Sequence, residues 1–552
     1  MQGIRQLWHA KDKVEYRAIG GFSPLICRML ARRGVNDEES LYYFLLGDEL
    51  PLKNPLLLPD MDKAKARIEL AQRRNERVCV YGDYDADGVC STAILTDCLK
   101  TMGMEVSYYI PSRHREGYGM NLDAVKRLAD GGATLIITVD NGISAFEEIA
   151  YLKSRGIDVI ITDHHQCRED LPSCEAVVCP TRLDNDRSEK TYCGAGVALK
   201  LACALLGERR CEKYIPLAAV ATVADLVPLT GENRAIVKRG LKLLNCNLGL
   251  SALIKAAGSE EAELNEDGLA FIIAPRLNAA GRLGDAARAA RLLLSQNGEE
   301  AALLAEELNE ENLRRKEEEQ RIFEQCLSRE KEIANAPITV LAGEDWNSGV
   351  IGIVASRLVE RYGKPAMLFT RGGDGLLIGS GRSTLGVNLF GLLNELSDCL
   401  VRFGGHESAA GATIEEHRLA EFIGRASERL KGLEPAQTFV YEDEAELYEC
   451  NLRTCAQIER LAPFGVGNER PILRINGCKL SEIRTMGKDG SHLSARVIKD
   501  GSGLRLVAFK MGEQAQDWMK HPRCDLLVRL KKNSFRGTDS AELYFVSKKD
   551  EK

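Results

Sequence analysis

From Glu76 to Pro180 the chain alternates short apolar runs with amphipathic stretches, and that rhythm admits few folds. RVCVYGD, EVSYYI, TLIITVD, IDVIITD and AVVCP are strand-length and rich in Val, Ile and Tyr, with helical composition between them. Strands separated by helices read as a parallel sheet with crossover connections, hence an α/β domain. Several of the runs also end on acids. Asp83, Asp85 and Asp87 follow the first and precede Gly88 and a helix from Ser91. Asp140 ends TLIITVD, Asp163, His164 and His165 end IDVIITDHH, and Asp225 ends a fourth apolar segment, LAAVATVAD, grouped here with the strand ends. Ligand sites of open parallel sheets lie outside the carboxyl ends of the strands, so these loops are expected to converge.

Each acid has a modest reading as the cap of a following helix. That serves for one Asp and fails for four segment ends plus an adjacent His pair. Like charges held a few Å apart destabilise a fold unless cations neutralise them. Carboxylates with one or two imidazoles suit Mn²⁺ or Mg²⁺ better than a thiolate-seeking ion, and the candidate ligands exceed what one ion needs. Two ions about 3.5–4 Å apart would activate a water and stabilise a leaving oxygen in phosphoryl chemistry.

At 552 residues the chain is several domains long. Residues 1–75 have helical composition, with Ser23-Pro24 opening a helix, and residues 76–284 hold the acidic α/β domain. Residues 285–335, including LLAEELNEENLRRKEEEQRIFEQCL, read as one long exposed connecting helix. Residues 336–435 form a second α/β domain, with VIGIVASRLVERYG as a helix ending at Gly363. In residues 436–552, SEIRTM, HLSARVIK, LRLVAFKM, DLLVRLKK and AELYFVSK suggest a small β-barrel.

A net charge of −7 argues, taken alone, against a protein that coats a polyanion. The charge is segregated, however: residues 471–552 hold 17 Lys and Arg against 10 Asp and Glu, and the remainder carries the whole acidic excess. No apolar run approaches the roughly 20 residues of a membrane span. The opening MQGIRQLWHAKDKVEYR has no secretory pattern, and the 17 cysteines include no C-x-x-C pair. They read as reduced, small hydrophobes, so a cytoplasmic protein, acting as a monomer, is expected.

At these residues the chain resembles the DHH phosphoesterase superfamily, named for the triplet seen here as Asp163-His164-His165. TYCGAGVALKLA, ADLVPLTGENRAIVKRGL, APRLNAAGRLGDA, WNSGVIGIVASRL, GSGRS and FGGHESAAG resemble the RecJ-type single-strand-specific exonucleases in order and spacing. LAPFGVGNERPIL and NSFRG resemble that family's C-terminal region. The resemblance implies a DHH domain, a DHHA1 domain across a deep groove, and an oligonucleotide-binding (OB) barrel. It implies processive 5′→3′ removal of mononucleotides from single-stranded DNA, with two Mn²⁺ or Mg²⁺ ions, in DNA repair and recombination. It also implies Asp83, Asp85, Asp87, Asp140, His164 and Asp225 as metal ligands, and His165 as a contact to the scissile phosphate or an acid. Asp163 would orient an adjacent His. Two positions depart from the family pattern: Tyr81 stands where many DHH enzymes have a His ligand, and Asn347 follows Trp346 where His is expected.

For the strand itself, Arg276, Asn278 and Arg282 offer donors to phosphates, with helix capping or an ion pair as an equal reading. Ser380 and Arg382, with Gly404, Gly405 and His406, read as a backbone-rich anion cradle, which by resemblance holds the 5′ end. Arg113 is a candidate for the substrate channel and Tyr118 for base stacking. Lys531, Lys532 and Arg536 around Phe535 match the cation and aromatic mixture of single-strand grooves. Two other functions compete. One is a DHH phosphoesterase acting on short oligoribonucleotides, cyclic dinucleotides or pyrophosphate, disfavoured by the basic barrel and the chain length. The other is an inactive scaffold of the kind found among DHH-derived replication factors, disfavoured by the intact acids and His pair. An enzyme confined to single strands cannot attack intact duplex, so a helicase and a single-strand-binding protein are expected as partners.

Overall fold

The computed structural model describes residues 4–112, 116, 119–186, 190–261 and 264–550. The chain divides into two compact units: Asp37–Leu313 with Leu461–Arg470, and Met1–Asn36 with Arg314–Arg460 and Pro471–Lys552.

The unit built on Asp37–Leu313 contains five parallel strands, β1 (Val78–Tyr81), β2 (Val106–Tyr109), β3 (Leu135–Val139), β4 (Asp158–Thr162) and β5 (Ala176–Val178), in the order β2-β1-β3-β4-β5. Alternate residues feed two cores. Val78, Val80, Ile137 and Ile160 pack on one face, under helices Met61–Arg74 and Ala86–Thr101. Cys79, Tyr81, Ile136 and Ile161 pack on the other, under Leu122–Asp130 and Phe146–Ser154. Burial on both faces is why the strands read as unbroken apolar runs. The chain winds outward in opposite directions from β1, to β2 on one side and β3 on the other, which opens a crevice at the carboxyl ends of β1 and β3. Asp83 and Asp140 follow those two strands.

Two local assignments from the sequence change. LAAVATVA, grouped with the strand ends, is helical, within Ile215–Ala224. It is rich in alanine, the strongest helix former, and apolar all round because it packs between helices Ala86–Thr101 and Gly231–Lys242. Over so short a run, periodicity cannot separate a buried helix from a buried strand. The helix expected from Ser91 starts earlier, at Ala86, because Asp85 caps it: Oδ1 accepts from the N–H groups of Asp87 and Gly88, each at 3.0 Å. Gly88 is needed there, since a Cβ would lie 2.6 Å from the main-chain carbon and oxygen of Asp83.

In the other unit a mixed sheet comprises β6 (Thr339–Gly343), β7 (Ala366–Gly373), β8 (Leu376–Arg382), β9 (Arg402–Gly405) and β10 (Ala409–Glu415), ordered β9-β10-β8-β7-β6. A closed five-stranded barrel follows: β11 (Leu473–Met486), β12 (His492–Lys499), β13 (Ser502–Ala508), β14 (Arg523–Phe535) and β15 (Thr538–Asp550). The order is β11-β12-β13-β15-β14, β14 closes back on β11, and β13 runs parallel to β15. The N-terminal region, expected to be helical, also contributes a strand, Arg5–Ala10, paired in parallel with Ala436–Tyr441. Residues 285–335, expected as one helix, are three: Ala287–Leu294, Gly298–Ser328 and Glu330–Ala334. Asn297 makes the first break, its Oδ1 accepting from the Glu299 N–H at 2.8 Å.

Replacing Gly88 by Ala should destabilise the protein by about 1–3 kcal/mol, the usual cost of overpacking. Urea denaturation of the variant beside the parent protein measures this.

Candidate active site

The fold gathers the acids in steps. Asp83 leaves β1, Asp85 caps the next helix, and Asp87 sits in that helix's first turn. Asp87 lies 2 % exposed and accepts from the N–H groups of Gly194 and Ala195 at 2.7 and 2.6 Å, so a second helix start, Gly194–Leu206, fixes it. Asp140, at φ +62°, turns its carboxylate against Gly194, where a Cβ would stand 2.6 Å from the Asp140 Cβ. Among the described residues no hydrogen bond reaches Asp140 Oδ1, although it is buried.

His164 stands amid these acids. Its Nε2 lies 3.0 Å from Asp140, 3.7 Å from Asp87 and 3.7 Å from Asp225. Three overlapping sets bring single ligand atoms within 4.8 Å of one another: Asp83, Asp85 and Asp140; Asp87, His164 and Asp225; and Asp140, His164 and His165. Burial, then the neighbouring acids, pushes the Asp140 carboxyl well above its ordinary range and raises Asp87; the same causes push Asp225 up to about 8. These groups resist losing their protons unless a cation sits among them. A buried Asp140 Oδ1 that accepts no hydrogen bond and has the His164 ring nitrogen 3.0 Å away, within an oxygen and imidazole donor set, fits a hard divalent ion.

Asp163 is equally buried and behaves oppositely. It accepts from the N–H groups of Ile143 at 3.0 Å, His164 at 2.7 Å and His165 at 3.1 Å, and His165 Nδ1 lies 2.7 Å away. Burial opposes its charge, yet the His165 hydrogen bond, that ring's charge and the Ile143 amide hold it below the ordinary carboxylate range. In return, and against burial, Asp163 raises His165 to about 9. The His165 side chain is 42 % exposed, against 13 % for His164.

Tyr81 offers no ligand: its hydroxyl donates to the Gly119 carbonyl and accepts from Asn121 Nδ2, both at 3.3 Å, on the far face of the sheet. Arg276, read as a phosphate donor, is buried and donates to Asn309 Oδ1 at 3.0 Å and to the Ile272 carbonyl at 2.7 Å. Asn278 accepts from the Ala86 N–H at 2.8 Å and so braces the acidic loop. Arg282 is partly buried in the same helix, Ala274–Leu283. Arg113 and Tyr118 lie outside the described residues.

In the other unit, cross-strand register aligns Gly404, Gly411 and Ser380 on β9, β10 and β8. Helix Ile351–Tyr362 comes so near that a Cβ on Gly352 would lie 2.7 Å from Ser380 Oγ. An Arg382 Nη lies 3.5 Å from the same hydroxyl, and Gly405 holds φ +136° beside exposed His406. This is a small glycine-lined surface with one hydroxyl and one guanidinium. Asn347 accepts from the Gly349 N–H at 2.8 Å, ordering the turn before that helix.

On the barrel, Phe535 is 65 % exposed with the Arg536 guanidinium 5.2 Å from its ring centre, while Lys532 pairs with Asp539 at 3.2 Å. Lys531 Nζ lies 5.3 Å from the Tyr544 ring. The sequence reading missed the row this belongs to. Tyr544, exposed Phe509 and His492 follow one another at ring separations of 6.1 and 5.3 Å, each from a different strand or strand end. His492 opens the second barrel strand and Phe509 follows the third, the strands on whose face OB barrels bind nucleic acid, while Tyr544 reaches the row from the fifth.

Comparison with known proteins agrees with this architecture. Residues 77–227 match the DHH family, N-terminal domain; residues 335–432 match the DHHA1 domain; and residues 441–547 match the RecJ OB domain. The single-stranded-DNA-specific exonuclease RecJ of Bacillus subtilis is 36% identical over 94% of this chain and 67% of its own length. That of Escherichia coli is 32% identical over 94% and 95%. The crystal structure of Thermus thermophilus RecJ in complex with Mn²⁺ superposes with a TM-score of 0.84 at 32% identity, covering 99% of this chain and 80% of that one. The same protein is also known with Mg²⁺. With three matching domains in order and relatives aligned over nearly its full length, the chain belongs to the RecJ family of the DHH superfamily.

Proposed function

We propose that the chain is a single-strand-specific DNA exonuclease that works 5′→3′, releases 5′-mononucleotides and serves DNA repair and recombination in the cytoplasm. The observation that carries this reading is the convergence of buried, mutually repelling acids on His164 at the β1/β3 crevice. Asp83, Asp85 and Asp140 would hold one Mn²⁺ or Mg²⁺ ion, and Asp87, His164 and Asp225 a second. Bound there, such ions supply an activated water and neutralise charge on the phosphate.

The remaining work falls to the chain's own groups. His165, kept in its charged form by Asp163, would donate from Nε2 to a phosphate oxygen or to the leaving oxygen. Asp163 thereby fixes the ring through Nδ1. Ser380, Arg382, Gly404, Gly405 and His406 would receive the 5′ end, and Arg113 and Arg282 the phosphates behind it. Arg276 and Asn278 would hold the loops in place. Lys531, Lys532, Phe535 and Arg536, extended by His492, Phe509 and Tyr544, would grip the incoming strand by stacking and charge. A helicase and a single-strand-binding protein would supply that strand to the monomeric enzyme.

Three outcomes are expected. Strands labelled at the 5′ or 3′ end, incubated with the protein and Mn²⁺, should lose mononucleotides from the 5′ label first; release from the 3′ end overturns the polarity. Mn²⁺ binding at pH 7 should release protons, because burial and the neighbouring acids push Asp225 up to about 8 and raise Asp140 well above its ordinary range, and both must ionise to coordinate. Calorimetry in buffers of different ionisation enthalpy detects that release, and the affinity should climb as pH rises towards 8. Finally, Phe509→Ala or Tyr544→Ala should each weaken binding to a long single strand by about 1–3 kcal/mol, measured without divalent ions. Point substitutions suit this test better than deletion from residue 440 onward, which would also remove Leu461–Arg470 from the catalytic unit.

A further inference from the structure

The ten residues LAPFGVGNER, Leu461–Arg470, leave one unit to complete the other. Their place there is specific. Asp225 follows the last turn of helix Ile215–Ala224, and the chain then passes through Leu226, at φ +56°, before Pro228, Leu229 and Thr230 lead into the next helix. The helix's own carbonyls hold that turn, the Leu226 N–H donating to Val223 at 3.3 Å and the Val227 N–H to Thr222 at 3.2 Å. The loop grips the residues that follow. The Leu229 N–H donates to the Val466 carbonyl at 2.7 Å. Gly465 lies so close that a Cβ would be 2.7 Å from Leu229 Cδ1. Gly467, at φ +74°, would place a Cβ 3.3 Å from both Pro228 Cβ and Thr230 Cγ2.

The loop is itself held rigid. Asn468, 1 % exposed, donates from Nδ2 to the carbonyls of Leu461 at 2.8 Å and Pro463 at 2.7 Å. Arg234 donates to the carbonyls of Ala462 at 2.6 Å and Pro463 at 3.1 Å while lying 3.9 Å over the Phe44 ring. Arg470 lies over Phe464 at 4.2 Å and pairs with Glu266 at 3.4 Å. Asp87 and Asp85, by contrast, are fixed directly by pairs of main-chain amides. Asp225 stands at the helix end, its N–H on the Ala221 carbonyl at 2.9 Å, with a side chain 33 % exposed that accepts no main-chain amide among the described hydrogen bonds, so its placement answers to the course of the chain on either side of it.

We infer that the Leu461–Arg470 loop is a positioning element for Asp225: by clamping residues 228–230 it sets where that carboxylate stands and how tightly the ion it shares with Asp87 and His164 is bound. This rests on the metal-centre reading given above. The residues of the loop act through Asp225 and need not touch the ion or the DNA.

The test is a cycle of Mn²⁺ binding isotherms on the full-length protein without DNA, read from the paramagnetic resonance signal of free Mn²⁺. Gly467→Val should weaken the affected site roughly tenfold, the lower end of what loss of a supporting contact costs a metal ligand. Asp225→Asn should weaken the same site, and the double variant should bind no more weakly than Asp225→Asn alone, because both changes act on one carboxylate. Additive losses, or an unchanged Gly467→Val isotherm beside a weakened Asp225→Asn, overturn the clamp and leave the metal centre standing. An unchanged Asp225→Asn isotherm overturns the metal-centre reading itself. Circular dichroism checks folding, and if Gly467→Val does not fold, Asn468→Ala, which removes only the internal brace, takes its place in the same cycle with the same outcomes.

Discussion

Asp140 and Asp163 follow neighbouring strands of one sheet, both almost completely buried, and their carboxyls are pushed in opposite directions. The difference lies in what faces them. Asp163 has three main-chain amides and an imidazole, enough to keep a charge in the interior. Asp140 faces further acids, and its Oδ1 accepts no described hydrogen bond although the His164 ring nitrogen stands 3.0 Å away. A buried carboxylate without donors is tolerated only as the neutral acid or beside a cation. The whole crevice is organised around that choice: a frame of acids held in place by main-chain amides, Asp85, Asp87 and Asp163, encloses Asp140, and burial leaves Asp87 and Asp140 alike raised and awaiting positive charge.

The frame is cheap to build because it uses elements the fold already has. Parallel strands deliver their carboxyl ends to one edge, and the helices that cross back begin there with unpaired amides. Asp85 takes the amides of its own helix, and Asp87 takes those of Gly194–Leu206, so two helix starts converge on one loop. Glycine at 88 makes room for the main chain of Asp83, and glycine at 194 for the Asp140 side chain.

Much of this was legible in the residues. An acid or His at the end of an apolar run is a local signal, and Asp83, Asp85, Asp87, Asp140, Asp163, His164 and His165 all carry it. Asp225 was found by the same signal although its run is a helix, because a buried helix and a buried strand share an unbroken apolar composition. The Gly194 and Ala195 amides were invisible, since a main-chain donor has no residue signature. So was the fate of Arg276, whose acceptor Asn309 lies 33 positions away. The row of His492, Phe509 and Tyr544 needed the barrel's register, which sets Val507 opposite Tyr544 and Leu493 opposite Ala508. Lys531 and Phe535 stood out because they are near one another in the chain; the row did not, because its members come from three places in it.

The interrupted course of the chain between its two units has a temporal side. A ribosome that has finished Leu313 must add roughly 150 further residues before Arg470 appears, about 8–30 s at ordinary elongation rates. During that interval the sheet, its helices and most of the acidic crevice are already available to fold, while Leu229 has no Val466 carbonyl to meet. The nascent nuclease therefore stays incomplete at one corner until the residues just before the barrel have been made, and the barrel's first strand emerges immediately behind them.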